Sequence, residues 1–249
     1  VDPEAGDAAR VRLRAAVSAL ARWCETAPVP AAPVRPRRHL FGSNPVLVAP
    51  GAAAPGRIGS RDRVTVVGGP LDAMARAHWG ARVSDGAGMR WRRVWDRMAA
   101  RDALEPGLDL AAVTRQWVDR VGAEQVELVL SPAVPGRDPV AIDLARRLNQ
   151  VLAVRPARAR AAVAGLPWPS PSGAPGLGVP AHRLRWATAR AEQLADELAH
   201  VGCRTVGDPA LVVPSTDPGV RRSIPAAATL DLAVEVLGRL PRSEVGVCG

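Results

Sequence analysis

The chain has no lysine, no tyrosine and only one phenylalanine among its 249 residues. Its 33 basic residues are therefore all arginines. A phosphate-binding P-loop has the pattern GxxxxGK[ST], in which backbone amides surround the phosphate and a lysine neutralises it. A chain without lysine cannot contain this motif, so the Gly/Ala/Pro-rich segment PGAAAPGRIGS is not such a loop.

Cysteines and long apolar runs are also scarce. Cys24, Cys203 and Cys248 are far apart and show no CxxC or Cys/His ligand spacing, which argues against a disulfide framework or a zinc site. No stretch approaches the roughly 18 consecutive apolar residues of a membrane span. The first residues lack the pattern of a signal peptide. We therefore expect a cytoplasmic protein in a reducing compartment, with no membrane partner.

Several enzyme signatures are absent as well. The sequence contains no GxSxG elbow, no HExxH and no paired carboxylates at a helical spacing that would suggest glycosidase or metal chemistry. His78 is a candidate general base, although a lone histidine beside a tryptophan is more often a packing or surface residue. Asp208 follows a glycine and fits a turn or capping residue better than an acid or base.

The net charge is +9, but the arginines are spread along the whole chain. Many of them fall on the polar sides of predicted helices rather than in one block. A basic nucleic-acid-binding protein is an alternative that would require the arginines to gather on one face. The sequence alone does not favour a nucleic-acid partner, and it leaves the oligomeric state open.

The central part of the chain, residues 63 to 130, has the clearest pattern. The segment RVTVVGG predicts a strand, VELVL predicts a second one, and three helical segments lie between them. This order favours a parallel sheet with crossover helices. We expect four tryptophans of this region to be core residues: Trp79, Trp91, Trp95 and Trp117.

The flanking parts of the chain predict more helices. Apolar spacing indicates helices over residues 8–24, 139–152 and from 182 to a C-cap at Gly202, and a closing helix with Leu230, Ala233, Val234, Leu237 and Leu240 on one face. Short strands are predicted at 45–49 and in CRTVGDPALVVP. Proline-rich segments at 27–38 and 165–181 fit linkers within one domain spanning 1–249. The predicted class is α/β with a helix-rich C-terminal part.

The end of the first strand is the best candidate for a site. Gly68 and Gly69 follow the strand, and Pro70 fits the first turn of the next helix, with Asp72 placed to complement the helix dipole. A strand, a glycine turn and a helix N-terminus can form an oxyanion or phosphate pocket. The same arrangement is more frequent as plain packing of a strand against a helix.

Three blocks of sequence resemble a family of actinobacterial sulfotransferase-like proteins with a P-loop-type α/β fold. RVTVVGGPLDAMARAHW is similar to that family's strand, Arg-x-Pro turn and helix bearing Ser and Trp. DLARRLNQVL resembles a recurrent helix ending in Arg-x-x-Asn. RWATARAEQLADELAHVGCRTVGDPALVVP resembles a C-terminal helix followed by a Gly-Asp turn and a Leu/Pro segment. MRWRRVW and DLAAVTRQWVDRVGAEQVELVL continue the first block, and the blocks with the segments between them run from Arg63 to Pro214.

The resemblance implies transfer of a sulfuryl group from the nucleotide PAPS to an acceptor hydroxyl or amine, a reaction that depends on positioning and charge neutralisation. The chain departs from the family's nucleotide-binding pattern, because Gly68 replaces its turn arginine and Arg76 replaces its helix serine. The positions that correspond to a PAPS or 3',5'-ADP site are Gly68, Gly69 and Arg76, and an arginine fork can bind phosphate. We expect a non-catalytic or N-terminally truncated relative, or an active transferase if an upstream segment supplies the missing loop.

Overall fold

A computed structural model of the protein describes residues 3–26, 63–132, 134, 138–152, 166–168, 177–217, 220 and 222–240. Three parallel strands form a sheet in the order β1-β2-β3: β1 (Val64–Gly68), β2 (Val126–Leu130) and β3 (Arg204–Val206). The α-helices are α1 (Pro3–Thr26), α2 (Leu71–Ser84), α3 (Trp91–Ala100), α4 (Leu110–Val121), α5 (Pro139–Val151), α6 (Leu184–Leu198) and α7 (Ala226–Arg239). The predicted linker 27–38, the predicted strand 45–49 and most of 165–181 lie outside the described residues.

The sheet forms because β1 and β2 alternate fully and partly buried positions along their length. Val64 pairs with Val126 and Gly68 with Leu130, while Leu128 of β2 pairs with Thr205 of β3. Neighbouring parallel strands need a crossover connection. Helices α2 to α4 lie between β1 and β2 in the chain, and α5 and α6 lie between β2 and β3. The predicted parallel sheet with crossover helices is therefore confirmed as a small three-stranded sheet in a mostly helical protein.

The tryptophans pack as predicted. Trp79, Trp91, Trp95 and Trp117 are all buried. The ring of Trp91 lies 5.5 Å from that of Trp79 and 5.6 Å from that of Trp95, measured between centroids. Such tilted and edge-to-face arrangements are those that aromatic rings prefer. These residues anchor α2, α3 and α4 in the core.

The first and last helices pack together. Helix α1 lies against α7 and α5, and it buries Leu13, Val17 and Leu20. The predicted α1 helix is confirmed. The predicted face of α7 is partly wrong, because Val234 is 57% exposed and the buried line runs through Thr229, Ala233 and Val236.

Two helix ends differ from prediction by a few residues. Pro70 is the N-cap of α2 and not its first helical residue. Helix α6 ends at Leu198, and Gly202 follows in a left-handed conformation with φ of 75° instead of capping the helix directly. The described helices include none that is long and apolar enough to cross a bilayer.

Candidate functional site

The carboxyl edge of the sheet is where ligands usually bind in open α/β folds. The three strands are parallel, so their carboxyl ends, at Gly68, Leu130 and Val206, lie at this same edge. The segments that follow them therefore determine whether a ligand can enter. The sequence places its three predicted site residues on the first of these segments and on the helix after it.

Gly68 and Gly69 are buried at this edge by close packing. A Cβ on Gly69 would lie 2.1 Å from the backbone oxygen of Ser131, and one on Gly68 would lie 2.2 Å from Cδ2 of Leu110. The Ser131 amide also donates to the Gly68 carbonyl at 2.9 Å. These glycines allow backbone segments to approach each other. Binding of a nucleotide at Gly68 and Gly69 stays a prediction.

The segment after β3 closes the same edge from the other side. Gly207 has φ of 100°, and a Cβ there would lie 2.4 Å from the backbone oxygen of Leu130. Asp208 accepts a hydrogen bond from the Ala210 amide at 2.8 Å and caps the short 3₁₀ helix Pro209–Val212. The prediction that Asp208 is a capping residue is confirmed.

The N-terminus of α2 has a carboxylate of its own. Asp72 is 9% exposed, and its Oδ1 has no hydrogen-bond partner among the described residues. Burial raises its pKa above the ordinary value, against the lowering effects of hydrogen bonds from the backbone amides of Asp72 and Ala73 and of the charges on Arg76 and Arg222. The carboxylate of Asp72 therefore already lies at the amides of this helix end, and it would repel an anion that approached them.

Two further candidates lie along α2. Arg76 is partly buried, and its charge acts on Asp72. His78 Nε2 lies 2.9 Å from Oε2 of Glu105, which also accepts from Arg82 at 3.0 Å. Burial raises the pKa of Glu105, but these partners more than offset it and hold that pKa below its usual range. His78 and Arg82 thus share the carboxylate of Glu105 as their common partner.

A second site was not predicted from the sequence. A groove of about 980 Å³ lies between α1, α5, the start of α3 and the segment before α7. Among the described residues that line it, Asp143 is the only carboxylate. Its arginines are Arg10, Arg14, Arg90, Arg92, Arg146, Arg147 and Arg222. We call this feature the arginine groove.

One carboxylate organises the floor of the arginine groove. Asp143 Oδ1 accepts from Nε and Nη2 of Arg146 at 2.8 and 2.7 Å, and Oδ2 accepts from Nε of Arg147 at 2.7 Å and from Thr229 at 3.2 Å. Arg146 also donates to Gln150 at 2.9 Å. Burial is the largest of the effects that lower the pKa of Arg146, and the neighbouring charges of Arg147 and Arg90 add to it.

The remaining arginines of the groove differ in their partners. Arg222 donates to the backbone oxygens of Val179 and Thr216 at 2.9 and 3.5 Å, and to that of Asp217 at 3.2 Å. Arg10 pairs with Asp7 at 2.7 Å, outside the groove lining. Exposed Arg14, Arg90 and Arg92 form no ion pair with the described residues. The groove is therefore strongly cationic.

The sequence had only a weak signal for this groove. Its arginines come from positions 10 to 222, so no local window contains them together. The Arg-Arg pair of DLARRLNQVL belongs to its lining, and this segment is one of the three blocks that carry the family resemblance. Gly68, Gly69 and Arg76 are not among the residues that line the groove.

The architecture defines a mixed α/β protein with a small parallel sheet, and its described part holds no group of three His, Cys, Asp or Glu side chains suited to a metal ion. No family model, curated protein or solved structure matches the chain.

Proposed function

We propose that this chain is a non-catalytic binding protein built on a sulfotransferase-like α/β scaffold of the P-loop type. The support is the order of a strand, a glycine turn and a Trp-bearing helix, followed by a parallel second strand, together with the three resembling sequence blocks. The sheet has the parallel arrangement that such a scaffold requires. The family assignment is part of this proposal and does not rest on a match to a known protein.

The observation that most favours loss of catalysis is the state of the carboxyl edge of the sheet. A sulfuryl transferase must hold a nucleotide phosphate and neutralise charge on the moving group. In this chain Gly69 packs on Ser131, while the N-terminus of α2 is occupied by Asp72. A carboxylate at the helix end disfavours a second anion there by like-charge repulsion.

Arg76 is the predicted cation that could hold the 3'-phosphate of PAPS or 3',5'-ADP at this edge. We expect one arginine beside a carboxylate to bind such a nucleotide weakly, because its charge already acts on Asp72. The active-transferase alternative needs a phosphosulfate loop from another part of the chain.

The test is an assay for sulfuryl transfer from labelled PAPS to a phenolic acceptor, paired with calorimetric titration of 3',5'-ADP. We expect no sulfated product. Formation of sulfated acceptor by the parent protein would show that the chain is an enzyme. A binding signal that disappears in Arg76→Gln but persists in Arg185→Gln, an exposed arginine on α6, would place the nucleotide at the turn.

A further inference from the structure

The arginine groove concentrates like charges at a place where some of them are shielded from water. Arg146 is 2% exposed, and one carboxylate is shared between it and Arg147. Arg90 is close enough to lower the pKa of Arg146 further, after the larger effect of burial. Asp143 balances one of these positive charges, so the remaining like charges in the groove repel one another unless a further anion is bound.

Three guanidinium groups of the groove, those of Arg146, Arg147 and Arg222, are also held in place. Arg146 uses three of its N–H groups on Asp143 and Gln150, which leaves two N–H groups without an assigned acceptor. Arg222 is held by the backbone carbonyls of Val179 and Asp217, and its charge also acts on the carboxylate of Asp72. Held arginine forks bind phosphate and sulfate oxygens with little loss of side-chain freedom.

We propose that the arginine groove binds a small molecule that bears at least two phosphate or sulfate groups attached to an apolar body. The several cations match a multiply charged anion. Apolar side chains of Leu13, Val17 and Ile224 contribute to the same lining, and the volume of about 980 Å³ accommodates a ligand of nucleotide size or larger. This site is separate from the turn at Gly68 and Gly69.

The shape of the groove favours a small ligand over a nucleic acid. Helices α1 and α5, the start of α3 and the segment before α7 bring its arginines to one concave volume. The neighbouring hollow of about 560 Å³ shares Arg92 with the groove and adds three more arginines, Arg93, Arg97 and Arg183. Its aspartate, Asp96, pairs with His182 at 2.8 Å and with Arg183 at 2.9 Å. Positive charge therefore continues beyond the groove, so a DNA oligonucleotide is the competing ligand in the test.

The test is calorimetric titration of the full chain with pyrophosphate and with ADP, at low and at physiological salt. Both anions should bind, and ADP should bind more tightly because its nucleoside can contact the apolar lining. Arg14→Glu and Arg90→Glu should each weaken binding at least about tenfold, which corresponds to about 1.4 kcal/mol. Both side chains are exposed, so circular dichroism should show an unchanged fold.

Arg12→Glu is the matched control, because Arg12 is exposed on the same helix as Arg14 but does not line the groove. It should retain affinity within about twofold of the parent, allowing for long-range charge. Equal losses in Arg12→Glu and Arg14→Glu would mean non-specific attraction and would overturn the proposal. No binding of either anion would also overturn it, as would a DNA oligonucleotide binding more tightly than ADP at physiological salt.

Arg76→Gln separates this proposal from the one for the sheet edge. It should leave ADP and pyrophosphate affinity unchanged, since Arg76 is outside the groove lining. If Arg76→Gln lost ADP affinity and Arg14→Glu did not, ADP would bind at the turn of Gly68 and Gly69, and the proposal for the groove would be wrong. If ADP bound no more tightly than pyrophosphate, the proposal that the ligand carries an apolar body would be wrong.

Discussion

The carboxyl edge of the sheet and the arginine groove differ in how closely they are packed and in which charged groups they contain. At the edge, glycines bring backbone segments together, and Asp72 supplies a carboxylate at the end of α2. In the groove, Arg146 and Arg147 share Asp143, and five more arginines line the same open volume. The comparison shows that the position favoured by topology is closed by packing, while a surface assembled from distant segments has the chemistry to bind a ligand.

Removal of the shared carboxylate should have the largest effect. Asp143→Asn leaves buried Arg146 without its ion pair, and breaking a buried pair typically costs about 3–5 kcal/mol. Urea unfolding at pH 7 should show this loss. Added pyrophosphate should restore part of the stability, because an anion that binds the folded state stabilises it by mass action.

Asp138→Asn is the control for that substitution. Asp138 caps the same helix by accepting from the Val140 amide at 2.7 Å, and asparagine is an equally good N-cap. Its stability should stay within about 0.5 kcal/mol of the parent. If both variants lose the same stability, the charge on Asp143 is not what holds the groove together.

A methyl group at the sheet edge should have the next largest effect. Gly69→Ala places a Cβ against the Ser131 carbonyl, and overpacking of this kind typically costs about 1–3 kcal/mol. Thermal unfolding should show a clear drop in Tm. Gly238→Ala is the comparison, since nothing lies within 4 Å of its added Cβ and alanine favours a helix by up to about 1 kcal/mol. An unchanged Tm in Gly69→Ala would show that the edge is loose enough to admit a ligand.

The smallest effect should be a change in pH dependence at Asp72. Burial raises its pKa in the folded protein above the ordinary value of 3.8. The folded state therefore holds the proton more strongly, and the parent loses stability as pH rises from that ordinary value through the raised one. Asp72→Asn cannot ionise, so its free energy of unfolding relative to the parent should increase over this range. A relative decrease would mean that the ionised carboxylate stabilises α2.

Local sequence patterns predicted the fold better than the site. The periodicity of Leu110 and Trp117, and the short runs of β1 and β2, depend on neighbours within one element, and the structure confirms them. Val234 was misplaced because helical spacing alone does not specify which side of α7 meets α1.

The arginine groove could not be predicted in this way. Arg14 and Arg222 lie on segments more than two hundred positions apart, and only tertiary packing brings them to one groove. The capping role of Asp208 was predictable because the Asp-Pro turn after a glycine is a local signal.

Helix α1 has a role that its sequence gave no reason to expect. Helix α1 lines one side of the groove and also packs on α5 and α7. Residues of α5 and the first residue of α7 line the groove as well. A ligand that contacts Arg14 and Arg147 together would then bridge two helices that are distant in the sequence. By linkage, occupancy of the groove and docking of α1 strengthen each other. We therefore expect proteases to cleave the N-terminal helix more slowly in the liganded protein than in the free one.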